Sequence, residues 1–125
     1  MWIKECLWVG AGGLVGSVLR YLIGVWVRGR LPGHTFPWGT AVVNVAGCLL
    51  IGLLLGWAAR RGWATEARLL LMTGFCGGFT TFSSYAAETL NLVRAGRPES
   101  ALLYAGGSVM LGFAAVAIGL AIARL

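Results

Sequence analysis

The sequence predicts an all-α membrane protein of four transmembrane helices, the third broken near its middle, paired as an antiparallel dual-topology homodimer. Three observations carry this: scarce charge, four apolar stretches of membrane length, and loop charges divided almost evenly between the two sides. Only 11% of the 125 residues are charged, 58% are hydrophobic, and the mean hydropathy is +0.82. A soluble domain carries about 25% charge. Too little polar surface remains to cover a water-facing globule, and the length allows a single domain, residues 1–125.

A membrane helix needs about 20 mostly apolar residues. Residues 6–27 are interrupted only by Arg20, residues 38–59 carry no charge, residues 69–93 contain only Glu88, and residues 101–123 carry none. Short polar breaks lie between them. Pro37 suits the first turn of the second helix, and Thr65 reads as an N-cap before the third. Trp2, Trp26, Trp38 and Trp57 fall near span ends, where interfacial aromatic belts form. Lys4 precedes an apolar run too long for a signal-peptide core, so the first span is expected to remain as a helix.

Four spans place the N-terminus, second loop and C-terminus on one side, with Lys4, Arg60, Arg61, Arg68 and Arg124. The other side holds Arg28, Arg30, Arg94 and Arg97. Orientation follows the excess of positive charge. A difference of one residue predicts insertion both ways and antiparallel pairing; one orientation set by other features is the alternative. The net charge of +6 does not point to nucleic acid, because the arginines cap apolar spans and form no single basic stripe. Cys6, Cys48 and Cys76 lack metal-ligand spacing and read as structural thiols, and His34 as a solvated loop residue.

Polar residues inside the spans need a reason, since each is costly in hydrocarbon unless paired or wet. The run from Gly74 to Glu88 contains Gly77-Gly78 and the hydroxyls Thr80, Thr81, Ser83 and Ser84, which weaken a helix at mid-bilayer. Irregular backbone survives there only when buried in protein or lining a cavity; a close-packed glycine crossing is the alternative. Thr40 and Asn44 share a helix face, as do Tyr104, Ser108 and Gly112. Asn44 either bonds a neighbouring helix or aims its amide donors at an anion. Arg20 either snorkels to the interface or lines an aqueous vestibule, and Glu88 either pairs with an arginine or lines the same vestibule. Phe82 and Tyr85, three apart, offer positively polarised ring edges on one face. Donors outnumber carboxylates, so a small-anion pathway is the reading from residue chemistry.

The motifs Gly12-Gly13-x-x-Gly16-Ser17-x-x-Arg20-Tyr21, Gly39-Thr40-x-x-x-Asn44-x-x-Gly47 and Gly74-Phe-Cys-Gly-Gly-Phe-Thr-Thr-Phe-Ser83 resemble the Fluc (CrcB) family of fluoride channels, over nearly the whole chain. The resemblance implies an antiparallel homodimer in a bacterial inner membrane, with two pores that passively export fluoride and so protect against its toxicity. It implies a structural sodium ion at the dimer centre, held by the backbone carbonyls of Gly77 and Thr80. It also implies a fluoride pathway of Asn44, Phe82, Ser83, Ser84, Tyr85, Tyr104 and Ser108, with Arg20 and Glu88 nearer the vestibules. Tyr85 stands where the family usually has phenylalanine, and Gly112 where some relatives carry a hydroxyl.

Rival readings are weaker. Small multidrug exporters rely on a carboxylate in the first span, where this chain has Arg20. A packing scaffold leaves Asn44 and the hydroxyl run unexplained. No nucleophile–base pair or metal cluster suggests an enzyme, and no nucleotide motif suggests an energised pump.

Overall fold

The computed structural model describes residues 1–125, all helical apart from short connections. Helix α1 spans Trp2–Arg30, α2 Trp38–Arg61, α3 Thr65–Arg68, α4 Gly77–Phe79, α5 Phe82–Arg94 and α6 Pro98–Ala123; a π-helical segment, Leu69–Cys76, joins α3 to α4. Three helices, α1, α2 and α6, are long and apolar enough to cross a membrane unbroken. The third crossing is the composite of α3, the π segment and α4, followed by α5.

The helix break is real, but it lies beyond the glycine pair. Gly77 and Gly78 stay helical in α4, and the chain turns extended at Thr80 (φ −88°, ψ 158°) and Thr81 (φ −149°, ψ 117°). The hydroxyl side chains explain the shift. Threonine competes for backbone partners, and here Thr80 Oγ1 donates to the Cys76 carbonyl (2.8 Å) while Thr81 Oγ1 accepts the Ser84 amide (3.2 Å) as the N-cap of α5. Other boundaries move by a turn or less. Helix α1 runs into the polar flanks at both ends, and α6 starts on Pro98, which suits a first helical position. Thr65 is the first residue of α3, whose N-cap is Ala64, so it does not cap through its side chain.

Glycines set how closely the helices approach, as expected where lipid supplies no hydrophobic force between them. At Gly12 and Gly16 a methyl group would collide with the Leu70 and Phe75 carbonyls, so α1 lies directly on the π segment. Gly78 abuts Gly13 in the same way. On the opposite side Gly52 of α2 and Gly119 of α6 leave no room for a side chain against the Val116 and Leu49 carbonyls. The structure thus pairs α1 with the first half of the third crossing and α2 with α6. We expect Gly119→Val to destabilise the fold by about 1–3 kcal/mol, the usual range for forced overpacking. A melting temperature equal to wild type in detergent would show that the two helices can part at no cost.

Candidate ion pathway

The break leaves backbone groups that must find partners away from water, and side chains from α1 and α2 supply them. Asn44 on α2 makes a two-point clamp on Thr81: its Nδ2 donates to the Thr81 carbonyl (3.1 Å) and its Oδ1 accepts the Thr81 amide (2.8 Å). Arg20 on α1 donates through Nε to the Gly78 carbonyl (3.0 Å). The Thr80 amide donates to Cys76 (3.0 Å). The Thr81 amide, which would otherwise close a helical turn onto the Gly77 carbonyl, is held by Asn44. No backbone amide donates to the Thr80 carbonyl.

Two cavities meet at this break. The first, about 330 Å³, is lined by Arg20, Gly24, Arg28, Thr40, Ser84 and Glu88 among others, and opens between α1 and α2. The second, about 430 Å³, is more apolar and is lined by Asn44, Gly77, Thr80, Phe82, Tyr85 and Ser108, with Cys48, Cys76 and Met72 also on its wall. Thr81 lines both. The clamp therefore holds the residue that separates an arginine-lined chamber from a ring- and hydroxyl-lined one.

Between them runs a hydrogen-bonded cluster. Glu88 accepts from Thr40 Oγ1 at Oε1 and from the Tyr104 hydroxyl at Oε2, both at 2.7 Å. Of the two alternatives for Glu88 the structure shows the second: it lines the same cavity as Arg20 and pairs with no arginine, its oxygens being taken by two neutral hydroxyls. Tyr104 is almost completely buried and lines neither cavity, so it stands behind Glu88. Tyr85 touches both aromatic neighbours, with ring centroids 5.6 Å from Phe82 and 5.4 Å from Tyr104, and its hydroxyl donates to the Ala105 carbonyl (2.9 Å). The hydroxyl that distinguishes it from phenylalanine is thus turned into α6, and the ring remains on the cavity wall. Ser83 is exposed outside both chambers, with its Oγ 3.3 Å from Thr81 Oγ1.

The family model described as CrcB-like protein, camphor resistance (CrcB), matches residues 7–120. The chain belongs to the CrcB family. It is 48% identical over 121 residues to a protein of Rhizobium leguminosarum bv. trifolii named fluoride-specific ion channel FluC, covering 96% of each chain. A Thermus thermophilus protein of the same name is 48% identical over 119 residues, 95% of this chain and 93% of that one. A Rhizobium etli relative, also so named, is 50% identical over 117 residues. The chain is a multi-pass bacterial membrane protein.

Within this CrcB chain Thr81 belongs to the hydroxyl run of the sequence with no expected site role, and nothing in the sequence marks the Gly78 carbonyl as the partner of Arg20. The usable clue was the four-residue spacing of Thr40 and Asn44: one face of α2 reaches Glu88 with the first and Thr81 with the second. Because Asn44 satisfies two backbone groups at once, Asn44→Ala should lower stability by about 1–3 kcal/mol for each group left unpaired. Unfolding in detergent measures this, and Asn44→Gln should not restore the loss, since the longer arm misplaces both contacts. A thermally neutral Asn44→Ala would mean that water or a neighbour readily replaces the amide.

Proposed function

We propose that this chain is a fluoride-selective channel that lets fluoride leave the cytoplasm passively and so protects the cell. The observation that carries the reading is the pair of chambers joined at Thr81, one presenting guanidinium groups and the other presenting ring edges and an amide. Fluoride is small and strongly hydrated, so a selective path replaces its water with donors while holding it loosely enough for release. Membership in the CrcB family and relatives named as fluoride-specific channels support the same substrate.

In this reading an anion enters the chamber beside Arg20, passes Ser84 and the clamped Thr81, and meets Asn44, Phe82, Tyr85 and Ser108. Asn44 uses one N–H on Thr81 and keeps the second. The aromatic edges carry positive quadrupole density where an anion would pass. Ser83, Tyr104 and Glu88 act around this path, with Tyr104 and Thr40 fixing the Glu88 carboxylate.

The functional unit is an antiparallel homodimer of dual-topology protomers. Phe82 is 80% exposed in the single chain, on the same open face as the second cavity, and a second copy would cover it. The Thr80 carbonyl, free of any amide, and the Gly77 carbonyl, released by the Thr81 turn, fit a structural sodium ion at the centre of such a dimer. Unwound carbonyls in membrane helices bind alkali cations in this manner. Bound there, the ion would neutralise carbonyl dipoles that the break exposes.

Purified protein in vesicles loaded with potassium fluoride or potassium chloride, opened with a potassium ionophore, should release fluoride and retain chloride. Equal release of both, or release of neither, would overturn the reading. Phe82→Ile should slow fluoride release without changing the dimer's elution, because it removes the ring edge; a wild-type rate would make the ring dispensable. Single cysteines at Gly62 or Ala64 should label from both faces of the cell membrane, and labelling from one face alone would end dual topology.

A further inference from the structure

We propose that Arg28 is a second anion-capture residue at the mouth of the first cavity, where its guanidinium lies over Gly24. The inference rests on the channel reading above and assigns a role to a residue outside every recognised motif of the chain.

Arg20, Gly24 and Arg28 lie four residues apart on α1, so they form one stripe along the helix. All three line the first cavity. The Arg28 guanidinium folds back along this stripe: its Nη1 lies 3.5 Å from the place a β-carbon of residue 24 would occupy. On its other side Gly24 faces Gly39 of α2, whose own β-carbon would sit 3.3 Å from the Gly24 Cα. The missing side chain of Gly39 thus lets α2 come close to α1 here, and Arg28 lies over the Gly24 backbone at ordinary contact distance, within the chamber.

Four other arginines near span ends have partners, whereas Arg61, Arg94 and Arg124 are exposed and lie away from this cavity. Arg60 donates to the Ala123 carbonyl and Arg68 to Ala58, closing helix C-termini. Arg97 bonds Thr35, and Arg30 lies over the Trp26 ring, 5.0 Å from its centroid. Arg28 has no such partner and is exposed. The only carboxylate on the cavity wall, Glu88, is held by Thr40 and Tyr104, and no arginine pairs with it. Favourable placement in the last turn of α1 applies equally to Arg30, so it does not explain why Arg28 turns inward. The cavity wall therefore carries two guanidinium charges, one anchored through Nε to the Gly78 carbonyl and one free at the mouth.

An exposed charge at a mouth acts through its field and not through a fixed bond. It raises the local concentration of anions and leaves the later dehydration steps alone. Its effect belongs to capture at low fluoride and disappears when salt screens it.

The test is single-channel or vesicle conductance of wild type, Arg28→Gln and Arg28→Lys across a range of fluoride concentrations. Measurements are made at low ionic strength and again with a high concentration of an impermeant salt such as potassium isethionate. Arg28→Gln should reduce conductance at low fluoride by roughly threefold, the Boltzmann factor for one charge ~7 Å away in water. The limiting rate at saturating fluoride should match wild type, the deficit should vanish in high salt, and Arg28→Lys should behave as wild type. Equal low-salt conductance of Arg28→Gln and wild type would overturn the assignment. A salt-independent loss shared by Arg28→Lys would also overturn it, since it would mark a packing role. A wild-type protein that passes no fluoride would refute the channel reading itself, and the inference with it, before any variant is compared.

Discussion

The clamp between Asn44 and the Thr81 peptide is the interaction on which the rest of the structure depends. An interrupted helix inside a membrane exposes amides and carbonyls that water cannot reach, and each costs free energy unless the protein pairs it. A primary amide carries an N–H donor and a C=O acceptor on separate atoms side by side, so it can serve a peptide's C=O and N–H together. At position 44 it does so, leaving Thr81 extended and able to cap α5 through its hydroxyl. Without that pairing the same segment would gain most by closing into a continuous helix. The two cavities would then lose the irregular backbone that separates them.

The glycine-rich face of α1 belongs to the same problem. Gly12 and Gly16 bring α1 onto the π segment at backbone contact distance, and that closeness sets the depth from which Arg20 reaches. A wider crossing would leave the guanidinium short of the Gly78 carbonyl. The small residues of the first motif and the arginine that follows them are therefore one device. The glycines establish the distance, and Arg20 uses it to satisfy a carbonyl orphaned by the break.

Much of this was legible in the sequence, for a simple reason. In lipid the apolar spans follow from hydropathy alone, and any polar residue inside them marks an exception with a physical cause. The third span was expected to break because Gly77, Gly78 and four hydroxyls crowd its middle. The break falls on the first two of those hydroxyl residues, Thr80 and Thr81, and not on the glycines. Glycine tolerates irregular backbone, whereas threonine supplies the alternative partner that stabilises it. Asn44 was legible as a buried donor, but its partner was not, since the Thr81 peptide lies 37 residues away and no spacing rule connects them. The role of Glu88 was hidden for the same reason: periodicity puts Thr40 and Tyr104 on faces of α2 and α6, and only the fold brings both to one carboxylate.

That carboxylate limits what the hydroxyl groups can offer an anion. A hydroxyl has one proton to donate. Thr40 and Tyr104 both give theirs to Glu88, and Tyr85 gives its own to Ala105. Thr80 and Thr89 donate to carbonyls of their own crossing. Of the polar groups that looked like a ladder of donors, most present lone pairs to their surroundings, which repel a halide. The donors still free on the cavity walls include the second N–H of Asn44, the terminal nitrogens of Arg20, the Arg28 guanidinium at the mouth, and the hydroxyls of Ser84 and Ser108, with the ring edges of Phe82 and Tyr85 beside them. Selectivity in such a path then rests on few contacts held in a fixed place. A short ladder favours an ion small enough to meet several of them at once, and a larger halide would reach the same groups one at a time.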